Sequence, residues 1–553
     1  MSFPTAKNLF KRALSLLMAV SVISGVCFAD TDALPNDGVY VIGGSGTVEK
    51  IESGTTVQVI TGDGVVSLDL PEAAAETPAP TPEPTPEPYY PPPVIDVSTV
   101  SIGLYFNNSA LPVTTIDNVV GSGFQFGFYD ANRVFYNLGG TSETSLTIAR
   151  DTNVSVGVGE LGCYHILLPD SYPNFADARD AANAYDDGFP AYYNGAYYAL
   201  VGQYPNYAEA ADAVNWRGIG GQAFTASDRC VVVTKTGTTR ILFEFDYSSD
   251  FSLAVRPISN EGKAQTRLKN YSSGRNFSPV YYGDFQFARL SGGDMTVSNI
   301  LPLEDYVRGV VPYEMYATWP LEALKAQAIC ARTYVVSNLG KHRAYGFDVC
   351  DSTECQAYLG TVSATAHTDS AIDETIGQYV SYQGKLCQTL YSSSNGGASE
   401  DSENVFITAL PYCRGVIDPY EDSIEFYNKS WTYTLTAGDI RAKLTARGYN
   451  ISTLVSIEPQ YTRVGNMNAL TFTDVNGKSI TITKDQCRTV MGMPGINYRL
   501  TPSEDTPGSY DIEGGGWGHN VGMSQWGAYS MALVHDKTAE EILKFYYTGV
   551  TIG

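Results

Sequence analysis

Residues Leu301–Gly360 read LPLEDYVRGVVPYEMYATWPLEALKAQAICARTYVVSNLGKHRAYGFDVCDSTECQAYLG. Two helices are legible in this stretch. The first is expected near Pro302–Val311, with Pro302 in the first turn, where its missing N–H costs nothing, and Pro312 ending it. The second is expected to start around Thr318–Pro320 and run to about Leu339. Leu321, Leu324, Ala328, Ala331 and Val335 recur at helical spacing and form its buried stripe. Lys325 and Arg332 share another face, and Gly340 closes the helix. Glu314 stands between the two helices, in sequence among Val310, Val311, Tyr313, Met315, Tyr316 and Trp319. A carboxyl group in such company loses hydration, which raises its pKa because the charged form needs water most. A general acid has to keep its proton near neutral pH in that way. The competing reading is a loop carboxylate that caps the helix beginning near Trp319.

A second stretch, Glu513–Gly549, reads EGGGWGHNVGMSQWGAYSMALVHDKTAEEILKFYYTG. Gly514, Gly515, Gly516, Gly518 and Gly522 crowd around His519. Glycine at that density costs chain entropy and admits close approach of backbone to a ligand or to another segment. A helix from about Met523 to Val534 follows, and its first N–H groups are expected to face the same space. The two stretches are expected to form two walls of one cleft. The His519 ring would then lie about one side-chain length from the Glu314 carboxyl, in direct or water-bridged contact. The competing reading of His519 is a residue that pins its loop.

The composition narrows the function classes. At 553 residues the chain is long enough for two or three domains. Its 43% hydrophobic and 17% charged residues fit a globular protein. A formal net charge of −24 argues against nucleic-acid binding and against a polybasic grip on anionic lipid. Tyr outnumbers Phe, 39 to 22. Its flat ring and polar edge suit carbohydrate faces, as they suit any secreted β-rich surface. Lys7, Lys11 and Arg12, the apolar run Ala13–Phe28 and a cleavage site at Cys27-Phe28-Ala29 read as a secretory signal. The chain is therefore expected to be exported to the cell wall or beyond, and held at the membrane if the signal stays uncleaved. Eight cysteines then remain, an even number that permits disulfides. At Cys350 and Cys355 a disulfide or free thiols are favoured over zinc shared with His342, because the spacing is not that of a standard finger and no fourth ligand follows.

The expected fold class is α+β and multi-domain. The divisions are a signal peptide at 1–29, a small β unit at 30–71, a Pro-rich linker at 72–93, a β-rich region at 94–157, a repeat domain at 158–240 and a last unit at 251–553. The repeat is Tyr172-Pro173-Asn174-Phe175-Ala176-Asp177-Ala178, which recurs 32 positions later as Tyr204-Pro205-Asn206-Tyr207-Ala208-Glu209-Ala210. Each copy follows a strand-like run and opens an Ala-rich helix, with Asn as cap and an acid in the first turn. The pattern, YYALVGQYPNYAEAADAV above all, resembles a SPOR domain, a cell-wall glycan-binding fold. The alternative is a structural β-α repeat that binds nothing.

Within the last unit, EMYATWPLEALKAQAICARTY, CQAYLG, YSSSNGG with SENVF, and GWGHNVGMSQWGA closely resemble the stage II sporulation protein D family (SpoIID/LytB) over about Ser252 to Thr551. The resemblance implies that Glu314 is the catalytic acid of a lytic transglycosylase acting on peptidoglycan. It implies substrate-side roles for Lys325, Gln327, Arg332, Tyr334, Gln356, Tyr358, Tyr391, Ser392, Ser393, His519, Ser524 and Gln525. Thr333, Gly396, Gly397 and Gly522 also match the motifs. Two positions depart from the pattern. Asn395 stands where the family often has Ser or Gly, and Asn520 stands where Gly is usual. Both fall in expected turns, where Asn tolerates positive φ.

The implied chemistry is consistent with one prominent acid. Hydrolysis by displacement normally uses two carboxylates. A transglycosylase uses the sugar's own C6 hydroxyl and leaves a 1,6-anhydro-N-acetylmuramic end, with no cofactor and no metal. Ser392–Ser394 lack the Asp and His motifs of a triad and are not read as nucleophiles. The negative charge disfavours the intact anionic wall, which agrees with the family's preference for peptide-denuded strands produced by an N-acetylmuramoyl-L-alanine amidase. Two other readings compete, a non-catalytic amidase enhancer and a structural wall-binding scaffold.

Overall fold

The structure, a computed structural model, describes residues 90–269, 279–290 and 292–553, together with the backbone of four strands between residues 39 and 69. The expected signal peptide and most of the Pro-rich linker lie outside the described residues. The four strands form two antiparallel hairpins, Val39–Ile42 with Val48–Ile51 and Thr56–Thr61 with Gly64–Asp69. They fall in the range expected to hold a small β unit.

Residues 90–553 form a separate unit that mixes sheets and helices, an α+β architecture. Its seven-stranded sheet runs in the order Val349–Cys350, Thr99–Tyr105, Thr296–Pro302, Asp284–Ala288, Leu253–Ile258, Gly123–Tyr129, Phe135–Thr141. Strands from 94–157 and from 251–553 share it, with Thr99–Tyr105 inserted between Val349–Cys350 and Thr296–Pro302. Their inward side chains, including Ile102, Phe124, Phe126, Phe285 and Phe287, share one buried core. The boundaries expected at 157 and 251 therefore cut across shared hydrogen-bonded sheet.

The repeat occupies one end of a ten-stranded sheet. Its strands run in the order Gln222–Phe224, Tyr164–Tyr172, Ala196–Tyr204, Gly188–Tyr193, and the last pairs in parallel with Ile241–Asp246. Helices Phe175–Ala182 and Tyr207–Trp216 cover it, giving a strand–helix–strand–strand–helix–strand order. The two Asn residues of the repeat are the caps. Asn174 Oδ1 accepts the Asp177 N–H and Asn206 Oδ1 accepts the Glu209 N–H, each at 3.0 Å. Ala182 and Ala213 face the sheet core, where a small side chain lets the helices sit close.

The helical layer is built around Leu321–Ser337, against which Leu303–Glu314, Ala366–Asp373, Gln525–Val534 and Ala539–Tyr546 pack. The expected stripe is buried at Leu324, Ala328, Ala331 and Val335, but burial is continuous from Ala326 to Val335 and includes Gln327, Arg332 and Thr333. The helix is enclosed on all sides, so a one-face reading understates it. Pro312 does not end the preceding helix, which runs on to Glu314. The ring removes only the bond to the Arg308 carbonyl, and the Met315 N–H still closes onto the Val311 carbonyl at 2.9 Å. A smaller core around Ile440, Leu470, Phe472 and Ile512 supports the strands that lead into the Gly-rich loop. All eight described cysteines are free thiols, so no disulfide joins Cys350 to Cys355. No helix among the described residues is long and apolar enough to cross a membrane.

Candidate active site

Because the helix runs past Pro312, Glu314 is its last residue and its carboxyl lies at the C-terminal end. The negative end of a helix disfavours a carboxylate. Burial acts in the same direction and is the main cause that holds the Glu314 pKa above the usual carboxylate range. Three donors oppose it without reversing it. The Ala357 main-chain N–H gives to Oε1 at 2.8 Å. The Tyr391 hydroxyl and the Gln525 amide also reach the carboxyl, with Gln525 Nε2 3.4 Å from Oε2.

These contacts extend into a polar chain. The Tyr306 hydroxyl donates to Gln356 Oε1 at 3.0 Å, and Gln356 Nε2 donates to the Tyr391 oxygen at 3.0 Å. Tyr391 therefore has its own proton free for Glu314. On the other side Gln525 Nε2 lies 3.3 Å from Gln327 Oε1. The structure thus brings Glu314, Gln327, Gln356, Tyr391 and Gln525 together, joining the Leu321–Ser337 helix, the CQAYLG turn, the YSSSNGG strand and the Gln525–Val534 helix. The chain of donors ends on the carboxyl, which suits a group that must shed a proton and then hold negative charge.

The other expected site residues stand elsewhere. Lys325 Nζ bridges Glu322 and Glu374, each at 2.7 Å, and so braces two helices. Arg332 is fully buried and binds Glu304 with two parallel bonds, of 2.8 and 2.7 Å. Tyr334 points to Lys341 and the Cys355 side. Tyr358 is fully buried and donates to Asn299 Oδ1 at 2.6 Å. Ser392 pairs in parallel register with Ser524. The expected free N–H groups at the start of the last-but-one helix are already used. The Trp526 N–H goes to the Ser393 carbonyl and the Gly527 N–H to Ser524 Oγ, both at 3.0 Å.

His519 is held by its own loop. Its Nδ1 accepts the Val521 N–H at 3.0 Å, its ring packs edge-on against Phe406 and it lies by the Tyr391 main chain. No hydrogen bond joins it to Glu314 among the described residues, and the two are linked through Tyr391, whose main chain meets His519 and whose hydroxyl meets the carboxyl. Desolvation, helped by Arg488, pushes its pKa down to about 4. The glycines around it serve the approach of two protein segments. A Cβ at Gly522 (φ 75°) would stand 2.0 Å from the Leu390 carbonyl oxygen, and one at Gly518 (φ 124°) 2.5 Å from Ser392 Cβ. Asn520 has φ 60°, as a left-handed turn requires. Asn395 does not have positive φ; it is buried and its side chain donates to Asp418 Oδ2 at 2.7 Å.

Five contributors are absent from the expected site. Tyr306 and the Ala357 amide carry no motif signal of their own. Glu421 is buried and raised in pKa by desolvation. Its two oxygens accept from Ser524, Ser394 and the Asn395 and Gly396 N–H groups, so it ties the two loops together and has no free lone pair for a substrate. Trp526, next to Gln525, stacks on Phe426 at 4.6 Å and packs against Trp319, while Tyr316, two residues after Glu314, is 68% exposed. The two rings lie 6.5 Å apart, centre to centre, and make an aromatic rim two residues from Glu314 and one from Gln525.

One side-chain cluster adjoins the site. His342 Nε2 and the sulfurs of Cys350 and Cys355 lie within 4.8 Å of one another, and Cys355 directly precedes Gln356. The set offers three soft donors, one short of a tetrahedral zinc site.

A family model described as Stage II sporulation protein matches residues 291–382, which include Glu314, Gln327 and Gln356. The chain is 32% identical over 349 residues to stage II sporulation protein D of Bacillus subtilis, covering 60% of this chain and 95% of that protein. It is 37% identical over 282 residues to an uncharacterized protein of Brachyspira hyodysenteriae, covering 49% of this chain and 72% of the relative. The chain belongs to the stage II sporulation protein D family. A further relative is the amidase enhancer of Bacillus subtilis, 29% identical over 294 residues, covering 44% of this chain and 40% of that protein. The family match of 291–382 contains the helix pair and the CQAYLG turn but not Tyr391 or Gln525, which complete the polar chain from outside it.

Proposed function

We propose that this member of the stage II sporulation protein D family is a lytic transglycosylase of peptidoglycan glycan strands, with Glu314 as general acid and base. The observation that carries this reading is the setting of Glu314. Its carboxyl is desolvated and is the end point of a chain of donors. In the proposed reaction Glu314 gives its proton to the glycosidic oxygen as the C1–O bond breaks. The C6 hydroxyl of the muramic residue then bonds to C1, and its proton returns to Glu314. No water is consumed, and Tyr391 steadies the carboxylate between the two transfers. The aromatic rim of Tyr316 and Trp526 suits the apolar face of a sugar ring.

The net charge of −24 favours peptide-denuded strands over intact wall, which supports a reaction that follows an amidase. The secretory signal read at Lys7–Ala29 supports work outside the cytoplasm, in the wall or at the membrane, in sporulation or in vegetative growth. The repeat would then hold glycan as SPOR domains do. Incubation with purified denuded strands followed by mass spectrometry tests the proposal. Anhydro ends are expected; reducing ends would mean a hydrolase. The likeness to an amidase enhancer supports a second reading, in which the chain releases nothing itself and raises the turnover of an added amidase.

A further inference from the structure

A second polar cluster lies far in sequence from Glu314, inside the ten-stranded sheet. Asp151 directly follows strand Ser145–Arg150, His165 lies on Tyr164–Tyr172, Cys230 directly precedes Val231–Lys235 and Glu244 lies on Ile241–Asp246. His165, Cys230 and Glu244 are 0% exposed and Asp151 is 8% exposed. Such groups are rarely buried together unless something pairs them. One oxygen each of Asp151 and Glu244 and the Cys230 sulfur lie within 4.8 Å of one another. His165 Nε2 is 3.4 Å from Glu244 Oε2 and 4.0 Å from Asp151 Oδ1. Cys230 Sγ is 3.3 Å from Glu244 Oε1.

The hydrogen bonding leaves this centre unfinished. Gly202 O lies 2.7 Å from His165 Nδ1, so that nitrogen carries the proton and donates to the carbonyl. Nε2 then turns its other side to the carboxylates, and neither His165 Nε2 nor Glu244 Oε2 has a hydrogen-bond partner. The nearby guanidinium of Arg289 is spent on the carbonyls of Gly293, Cys230 and Gly292. Two buried carboxylates therefore converge on one imidazole nitrogen, and no hydrogen bond joins Nε2 to either.

We propose that Asp151, His165, Cys230 and Glu244 bind a divalent transition-metal ion of the zinc class. Donor atoms of Asp151, Cys230 and Glu244 within 4.8 Å of one another can close on one ion at about 2.0–2.3 Å, and His165 Nε2, 3.4 Å from Glu244 Oε2 and 4.0 Å from Asp151 Oδ1, is the fourth donor beside them. The mixed sulfur, nitrogen and oxygen set selects a borderline ion and disfavours magnesium and calcium. Surrounding groups are in place to orient the ligands. The Gly202 carbonyl fixes the imidazole tautomer, and the Tyr193 hydroxyl donates to Glu244. Binding converts the Cys230 thiol to thiolate and releases its proton to solvent. The ion clips a strand of the repeat to three strands outside its first four, so it sets how the repeat is carried on the sheet.

The test uses the full chain in a Cys350→Ser/Cys355→Ser background, which removes the other candidate thiols. The protein is stripped with a chelator, reloaded with zinc and desalted, and bound metal is measured by elemental analysis. One equivalent is expected, with a lowered melting temperature after stripping. Adding Cys230→Ser should abolish retention and, in cobalt-loaded protein, the near-ultraviolet thiolate-to-metal absorption. Asp151→Ala, at the rim, is the second variant should Cys230→Ser fail to fold, and it should lose zinc while keeping its far-ultraviolet circular dichroism. A folded background protein that retains no zinc overturns the proposal and leaves an imidazolium–carboxylate network. Equal retention with and without Asp151 and Cys230 overturns it as well.

Discussion

The Ala357 main-chain N–H donates to Oε1 of Glu314 at 2.8 Å, across 43 positions of sequence. The bond fixes one carboxyl oxygen on the CQAYLG turn and leaves Oε2 toward Gln525. Glu314→Gln keeps an acceptor for Ala357 but has no proton to give. Release of anhydro products should fall by about 100-fold or more. The melting temperature should not fall. Near-wild-type release from a folded variant would remove Glu314 from the chemistry.

The acid limb of the mechanism has a sign. Burial raises the Glu314 pKa, and the protonated form is the active one, so kcat/KM should decline as pH rises through that raised value. The Tyr391 hydroxyl stabilises the charged form. Tyr391→Phe should therefore move the alkaline limb to higher pH as well as lower the rate. A limb that moves to lower pH would place Tyr391 outside the donor chain. The same shift bears on folding. A carboxyl raised in the folded state contributes stability that is present below its unfolded pKa and lost as pH rises through the folded one. Glu314→Gln should thus gain on the wild type as pH rises, with the difference vanishing in acid.

The existence and order of the site helices were legible because periodicity and capping are local. The same holds for the Asn174 and Asn206 caps, which need only a few neighbouring residues. Tyr306 and Ala357 were not legible, since one contributes through a partner 50 positions away and the other through its backbone. The acid partners of Lys325 and Arg332 were not legible for a related reason. A cation's partner is set by tertiary packing, and here the partners are Glu374 and Glu304. Strand pairing hid the domain boundaries in the same way, because Val231–Lys235 and Ser145–Arg150 meet only in the folded sheet.

His519 offers a contrast with Glu314. Its pKa is lowered to about 4, so the ring is neutral in the folded protein near neutral pH. A histidine lowered in this way costs stability as pH falls from its unfolded value of about 6.5 toward its folded one. His519→Asn should lower the melting temperature at neutral pH by loosening the loop, yet make stability less sensitive to acid between those values. The pH profile of activity above pH 6 should keep its shape. A changed alkaline limb would mean that the imidazole takes part in proton transfer.

The repeat presents Trp216 and Tyr207 on its second helix, 73% and 55% exposed. If the repeat holds glycan, the full chain should sediment with peptide-free strands. The Trp216→Ala/Tyr207→Ala variant should remain more in the supernatant, with unchanged melting. The segment 161–234 alone is a poor probe, because cutting it out exposes the edges of Gly188–Tyr193 and Val231–Lys235. Equal sedimentation of parent and variant would leave these rings without a part in binding.

Arg332 decides between a substrate contact and a structural brace. Its guanidinium is fully buried and binds both oxygens of Glu304. Arg332→Met leaves that carboxylate, 26% exposed, without its partner, at a cost of about 2 kcal/mol in denaturant unfolding. The double variant Arg332→Met/Glu304→Leu removes the stranded charge and should recover most of that loss, because apolar residues of similar volume replace buried ion pairs well. Lys in place of Arg332 should not suffice, since a point charge cannot reproduce two parallel bonds. In all folded variants KM for glycan should stay near the wild-type value. A KM raised tenfold or more in the double variant, with stability restored, would return Arg332 to the substrate.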